Sequence, residues 1–215
     1  MRYPETYAVY DLETTGLNPA QDEAVEIGLL IVRNGVPDPV KTWLVKPAIP
    51  LSEETVRITG ITQEEVDRAG RPPAECWAEF LDAAKGLPVV GHNIARFDNL
   101  FVMACVRRHL PTPERYEDAF ALTKCFVDTA ALVKAEKLIP RAEPFWYETH
   151  MLFAERVLDI RAYGVRYRLG ESYQQLGGPE GLQAHRVAGD MAMTNFVYRK
   201  LCGLPEVKPA QPALL

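Results

Sequence analysis

Three observations predict an α/β domain whose core is a mixed sheet of about five strands flanked by helices. Three strand-like segments open the chain, the second and third separated by a tight turn. Helical and strand-like segments then alternate, the order expected of helices packed on a partly parallel sheet. The 215 residues are 47% hydrophobic and 25% charged, the balance of an ordinary globular chain with a sizeable core.

Tyr7–Leu12 is a short apolar run, and Ala24–Val32 is a second, richer in branched residues. Asn34-Gly35 follows directly, a dipeptide suited to a two-residue hairpin turn, and Val40–Val45 alternates enough to be the returning strand. Between Pro50 and Gly70 the pattern changes. Ser52 precedes two glutamates, and Thr62-Gln63-Glu64-Glu65 has the spacing of a capping box, so two short helices are expected around Ile58-Thr59-Gly60-Ile61. Pro72 and Pro73 introduce a helix over Ala74–Lys85, closed by Gly86. Leu87–Val90 reads as a buried strand ending at Gly91, followed by a helix over Ala95–His109 that Pro111 and Pro113 stop. Phe126-Val127-Asp128 ends a fifth strand and leads into a helix over Thr129–Lys137. A helix over Met151–Tyr163 closes at Gly164, and the last runs over Val187–Leu201. One domain over 1–204 is expected, with a tail at 205–215 in which Pro205, Pro209 and Pro212 suggest a frayed end.

Composition excludes several classes of protein. The formal net charge of −5 argues against a general electrostatic binder of nucleic acid or anionic membrane, which should be basic. It leaves room for a nucleic-acid enzyme whose acids hold metal. No apolar stretch reaches the roughly 18 residues a membrane span needs. Met1-Arg2-Tyr3-Pro4-Glu5 has no apolar signal core behind it, so a cytoplasmic location is expected. Cys76, Cys105, Cys125 and Cys202 are too widely spaced for a zinc or redox pair and are expected to be reduced, buried thiols.

The candidate chemistry lies in carboxylates. Asp11-Leu12-Glu13 at a strand end places two acids on one face, half of a magnesium or manganese site. Gly91-His92-Asn93-Ile94-Ala95-Arg96-Phe97-Asp98 turns from a strand through a polar loop to an aspartate at a helix start. There the helix dipole alone would favour an acid. In His185-Arg186-Val187-Ala188-Gly189-Asp190 the two outer residues would sit about 140° apart on one straight helix. They can converge only if His185 precedes the helix and Asp190 lies within it.

Taken together, Asp11–Leu17, Gly91–Asp98 and His185–Asp190 resemble, in order, the three motifs of the DnaQ-like, DEDDh family of 3′→5′ exonucleases. Ile58-Thr59-Gly60-Ile61-Thr62 is similar to that family's H-G-I-T loop, with threonine in place of histidine. The resemblance covers about Tyr7–Ala135 and Tyr167–Leu201. It implies a ribonuclease H-like fold. It also implies Asp11, Glu13, Asp98 and Asp190 as ligands of two divalent cations, with His185 as the general base. Hard oxygen ligands favour Mg2+ or Mn2+ over zinc. The family's tyrosine branch carries tyrosine four residues before the last aspartate; Arg186 stands there, so the histidine branch matches. Thr14, Thr15 and Leu17 become contacts to the terminal nucleotide, with Ile61, Asn93 and Phe97 as weaker candidates.

The chain departs from compact family members in a longer stretch near Glu136–Arg166. This stretch holds Phe145-Trp146-Tyr147, His150 and several arginines, either a packed helical addition or a surface that stacks on or steers a strand. The activity expected is release of nucleoside 5′-monophosphates from DNA 3′ ends, single-stranded or frayed, in proofreading or repair. Activity on RNA ends or short oligoribonucleotides is the alternative, and a catalytically idle scaffold of a replication complex the third reading. A DNA polymerase is a candidate partner, and Gln211-Pro212-Ala213-Leu214-Leu215 loosely resembles peptides that dock on sliding clamps.

Overall fold

The computed structural model describes residues 3–138, 150–182 and 185–205. Its centre is strand β1 (Tyr7–Thr14), whose period-two alternation feeds two cores. Ala8, Tyr10 and Leu12 pack on one face with Trp77, Phe80 and Phe101, while Tyr7 and Val9 pack on the other with Val187, Met191 and Tyr198. β2 (Ala24–Arg33) runs antiparallel to β1 along its whole length. Asn34 and Gly35 take positive φ of 50° and 82°, the conformation a two-residue hairpin turn requires, and lead into the two-residue β3 (Val36–Pro37). β4 (Lys41–Leu44) then pairs with the other half of β2. The returning strand expected at Val40–Val45 is thus β4, and the short β3 ahead of it is an additional piece on the same edge. The mixed sheet has six strands rather than about five.

β5 (Val89–Gly91) lies parallel to β1, and β6 (Phe126–Asp128) parallel to β5, giving the order β3-β2-β1-β5-β6 with β4 beside β2. The C-terminal ends of β1, β5 and β6 thus open onto one edge, where open α/β sheets characteristically bind ligands. Helices α1 (Glu53–Thr59) and α2 (Gln63–Ala69) are capped as their sequences predict. Ser52 accepts from the N–H of Thr55 and Thr62 from that of Glu65, and Gly60 closes α1 at φ 72°. α3 (Pro73–Ala84) buries Trp77 and Phe80 against the sheet, and α4 runs over Asp98–His109.

α4 begins three residues later than expected, because the N–H groups of Arg96 and Phe97 both turn back to the Asn93 carbonyl. α5 (Pro113–Lys124) is an added helix. Thr112 caps it, and Pro113, which stops α4 in the sequence, occupies its first turn. α6 (Thr129–Leu138) follows β6, and α7 (His150–Asp159) packs on α6 and β6, with Ala154, Val157 and Leu158 in the main core. α7 ends short of the expected Tyr163; α8 (Leu169–Gln175) is a second unanticipated helix. α9 (Val187–Leu201) has the expected bounds and crosses β1 and β2.

Phe145-Trp146-Tyr147 and the proposed clamp-binding tail lie outside the described residues. Cys76 and Cys105 are buried as expected, but Cys125, at the end of α5, is exposed. Among the described residues no helix is long and apolar enough to cross a membrane.

Candidate active site

β1 carries its apolar face only as far as Val9; the next two positions of the α9-facing side are Asp11 and Glu13. α9 supplies Asp190 from the same side. Ligand atoms of Asp11, Glu13 and Asp190 all lie within 4.8 Å of one another. α9 can approach this closely because β2 has glycine at position 28, opposite Asp11. A Cβ there would come within 2.6 Å of the Val187 Cβ. The start of α9 is further tied down by Glu26, opposite Glu13 in β2. Its carboxylate accepts from Arg186 at 2.9 and 3.2 Å and from the Val187 N–H at 3.4 Å.

Asp98 reaches the site from the other side. Pairing between β1 and β5 reaches Val9 and Val90, and past that point Asp98 Oδ1 accepts from the backbone N–H of Leu12 at 3.1 Å. Asp98 therefore sits against the strand between the two acids. Its loop is held by Asp128, fully buried at the end of β6. The Asp128 carboxylate accepts from the N–H groups of Asn93 (3.0 Å), Ala95 (3.1 Å), Ala130 (2.9 Å) and Ala131 (3.3 Å). Asn93 itself is left-handed at φ 64°.

His185 precedes α9, and Asp190 lies in its first turn, the arrangement their spacing requires. His185 is left-handed at φ 63° and exposed, and its N–H donates to Asp190 Oδ2 at 3.2 Å. Both residues line a cleft of about 1060 Å3 shared with His92, Asn93 and the segment Val165–Glu171. Burial holds His92 neutral, its pKa pushed down to about 4, so its Nε2–H donates to the Tyr167 carbonyl at 2.8 Å.

The electrostatics follow from crowding like charges in a dry setting. Burial, then Asp98, Asp190 and Glu13 in turn, push Asp11 well above the usual carboxylate range. Burial followed by the Asp190 charge lifts Glu13 to about 7, although Arg186 opposes it. Burial lifts Asp98 to about 8, against two backbone N–H bonds that lower it. Burial also raises Asp190, opposed by the His185 backbone bond. A half-buried set of oxygen donors, free of nitrogen or sulfur and short of countercharge, fits a hard divalent ion.

The remaining candidates separate by exposure. Leu17 is 84% exposed on the loop after β1, while Thr14, the last residue of β1, and Thr15 are half-buried, with Oγ1 contacts to Gly16 O (2.6 Å) and Asp22 Oδ1 (3.2 Å). Arg108 pins that loop through the carbonyls of Pro19, Ala20 and Asp22. Phe97 packs at a tilt against Phe101, with centroids 4.9 Å apart, and lies on the core. Ile61 is fully buried with Val25 and Val66, so its side chain offers a nucleotide no surface; it packs α2 against β2 instead. Glu26 and Asp128 are positioning residues that sequence reasoning missed. Their partners lie far along the chain, and Asp128 reads there only as a strand end.

This chain has a ribonuclease H-like sheet whose central strand delivers acids to a shared edge, joined there by one aspartate from each of two helices, an arrangement suited to holding divalent ions. Its family follows from comparison: a family model described as Exonuclease (RNase_T) matches residues 8–194, and the chain belongs to that family. It is 38% identical over 122 residues to a PolC-type DNA polymerase III of Thermotoga petrophila, covering 55% of this chain and 9% of that one. To the PolC-type polymerase of Mycoplasmopsis pulmonis it is 35% identical over 98 residues, 46% of this chain and 7% of that one. The chain thus spans less than a tenth of these relatives' length. In fold it resembles Escherichia coli exonuclease I in complex with a dT13 oligonucleotide, with a TM-score of 0.69 and 20% identity over 92% of this chain and 41% of that one. A zinc-bound form of that enzyme with single-stranded DNA has the same TM-score of 0.69 and 21% identity, covering 92% of this chain and 40% of that one.

Proposed function

We propose that the chain hydrolyses phosphodiester bonds from the 3′ end of single-stranded or frayed DNA, releasing nucleoside 5′-monophosphates, with Mg2+ or Mn2+ at the carboxylates. The observation that carries this reading is the convergence of Asp11, Glu13 and Asp190 within 4.8 Å, with Asp98 against the same strand. Asp11, Glu13, Asp98 and Asp190 hold the ions. When bound, a pair of divalent ions supplies positive charge where charge develops on the phosphate and orients the attacking water and the leaving oxygen.

The chain's own residues do the rest. His185, on the open side of the cleft, takes the proton of the attacking water, and its backbone bond to Asp190 keeps base and ligand in register. Leu17 projects from the loop after β1, free to wedge against the terminal base, with Thr14 and Thr15 beneath it on the sugar. Asn93 lines the cleft and contacts the same nucleotide, and the half-buried Phe97 is a further candidate contact. DNA is favoured over RNA because the relatives are DNA polymerases and the structural neighbour is complexed with oligodeoxynucleotides. The full acidic set with His185 opposes an idle scaffold. A polymerase partner is in keeping with the PolC-type relatives.

The test is hydrolysis of 5′-labelled single strands of DNA and RNA, side by side, with Mg2+, Mn2+ or EDTA. A ladder shortening from the 3′ end, faster on DNA and absent in EDTA, is expected. Endonucleolytic cuts or EDTA-resistant activity would overturn the proposal, and faster loss of RNA would move the substrate to RNA.

A further inference from the structure

The segment after α7, Ile160–Arg168, forms a ridge between two depressions. On one side is the cleft that holds His185 and Asp190, which Arg166, Tyr167 and Arg168 also line. On the other is a hollow of about 790 Å3 lined by Arg96, Lys134, Arg161 and Tyr163. Val165 and Tyr167 belong to both walls, so the two depressions adjoin across the ridge.

The ridge is built rather than loose. His92 donates to the Tyr167 carbonyl and Lys137 to that of Arg166, while Lys134 donates to those of Leu158 (2.9 Å) and Ile160 (2.6 Å) and stands 5.0 Å from the Tyr167 ring centroid. Its outward side chains are left unsatisfied by the fold. Tyr163 is 107% exposed, an aromatic ring held entirely in solvent. Arg161 and Arg168 are exposed and have no ion-pair partner among the described residues. The acids nearby are already engaged: Asp159 with Arg96, and Glu171 with Arg166 at 3.7 Å. On a chain of net charge −5, a run of arginines interleaved with tyrosines beside the acidic site calls for a ligand both anionic and aromatic.

We infer that the Ile160–Arg168 ridge is the track for the unpaired strand on the 5′ side of the scissile phosphate, with Arg161 and Arg168 on its phosphates and Tyr163 stacked on a base. This deepens the proposed function and rests on it for the direction of the strand. The ligand class is single-stranded nucleic acid several nucleotides long, because inside a duplex the stacked neighbouring pairs cover both faces of a base and leave none for Tyr163. Arginine for the backbone and an aromatic for a base is the chemistry by which proteins hold single strands with little sequence preference.

The test is anisotropy with 5′-labelled oligothymidylates of about 3 and about 12 nucleotides in EDTA, where nothing is cut. For the wild type the longer strand should bind at least about tenfold more tightly, while a blunt duplex of the same length gains nothing. In Tyr163→Ala and in Arg161→Ala/Arg168→Ala that length advantage should fall severalfold, and the double variant should lower the salt slope of binding by about 0.7 for each arginine removed. All three side chains are exposed, and an unchanged thermal melt establishes that the variants fold. Equal affinity for both lengths in the wild type, or an unchanged advantage and salt slope in the variants, would overturn the track. Binding is read without hydrolysis, so a wild type that binds with a length advantage yet releases no mononucleotide would overturn the proposed function and leave the track standing.

Discussion

The backbone N–H of His185 donates to Asp190 Oδ2 at 3.2 Å, and His185 makes that bond from a left-handed conformation at φ 63°. The bond belongs to the main chain, leaving the imidazole free. Glycine adopts this conformation without the cost of about 1–2 kcal/mol that an L side chain meets there. His185→Gly should therefore keep the fold and the Asp190 contact, with a melting temperature no lower than wild type. Turnover should fall by about 10²–10⁴, the usual worth of a general base. Steady-state kinetics alongside a thermal melt reads both; full turnover in a folded variant would remove the imidazole from the mechanism, and a lower melting temperature would contradict the backbone account.

Stability should depend on pH with a sign opposite to that of a salt-bridged acid. Burial raises Glu13 to about 7 and Asp98 to about 8, so folding favours their protonated forms. Their contribution is fully present below the ordinary carboxylate range and is lost as pH rises through these values. The metal-free protein should lose stability between about pH 5 and about pH 8.5 on this account. Added Mg2+ or Mn2+ should raise the melting temperature more at the higher pH, where the acids are ionised and the ion relieves their repulsion. Differential scanning fluorimetry at the two pH values checks this, and an equal metal shift at both would contradict it.

Four backbone donors meet on the Asp128 carboxylate, and all are stranded if it is removed. Asp128→Ala should destabilise the protein by about 3 kcal/mol or more in urea unfolding, given roughly 1–3 kcal/mol for each buried group left unpaired. Asp128→Asn keeps one oxygen acceptor and should lose less. Because the same carboxylate holds the loop leading to Asp98, activity should fall in the same order.

Gly28 limits how near α9 can come. In Gly28→Ala the new Cβ meets Val187 Cβ at 2.6 Å, so the start of α9 must shift and carry Asp190 with it. Overpacking of this kind costs about 1–3 kcal/mol. We expect weaker Mn2+ binding in calorimetric titration together with a stability loss in a thermal melt. A stability loss with unchanged Mn2+ affinity would show that Asp190 does not depend on this contact.

Local patterns were legible in the sequence, and long-range ones were not. The Asn34-Gly35 turn, the Ser52 and Thr62 caps and the α9 bounds follow from chemistry within a few residues. Alternation alone placed Asp11 and Glu13 on one face. α5 was hidden because Pro113 both ends the possibility of one helix and begins the next, and because its buried side is only Ala119 and Leu122. α8 is short and carries Gly170, which weakens its helical signal. Ile61 shows the limit of motif reasoning: its position matches a substrate-facing loop, but Val25 and Val66 bury it. The roles of Glu26 and Asp128 arise only when distant segments are brought together by the sheet.

The central claim is that Asp11, Glu13, Asp98 and Asp190 form a divalent-ion site. Calorimetric titration of Mn2+ into the wild type, Asp11→Asn and Asp190→Asn tests it most directly, since it needs no substrate and no assumption about the strand cut. The wild type should bind Mn2+ and release protons at about pH 7, because Glu13 and Asp98 are partly protonated there, and either substitution should abolish at least one site. Undiminished Mn2+ binding in both variants would contradict the account.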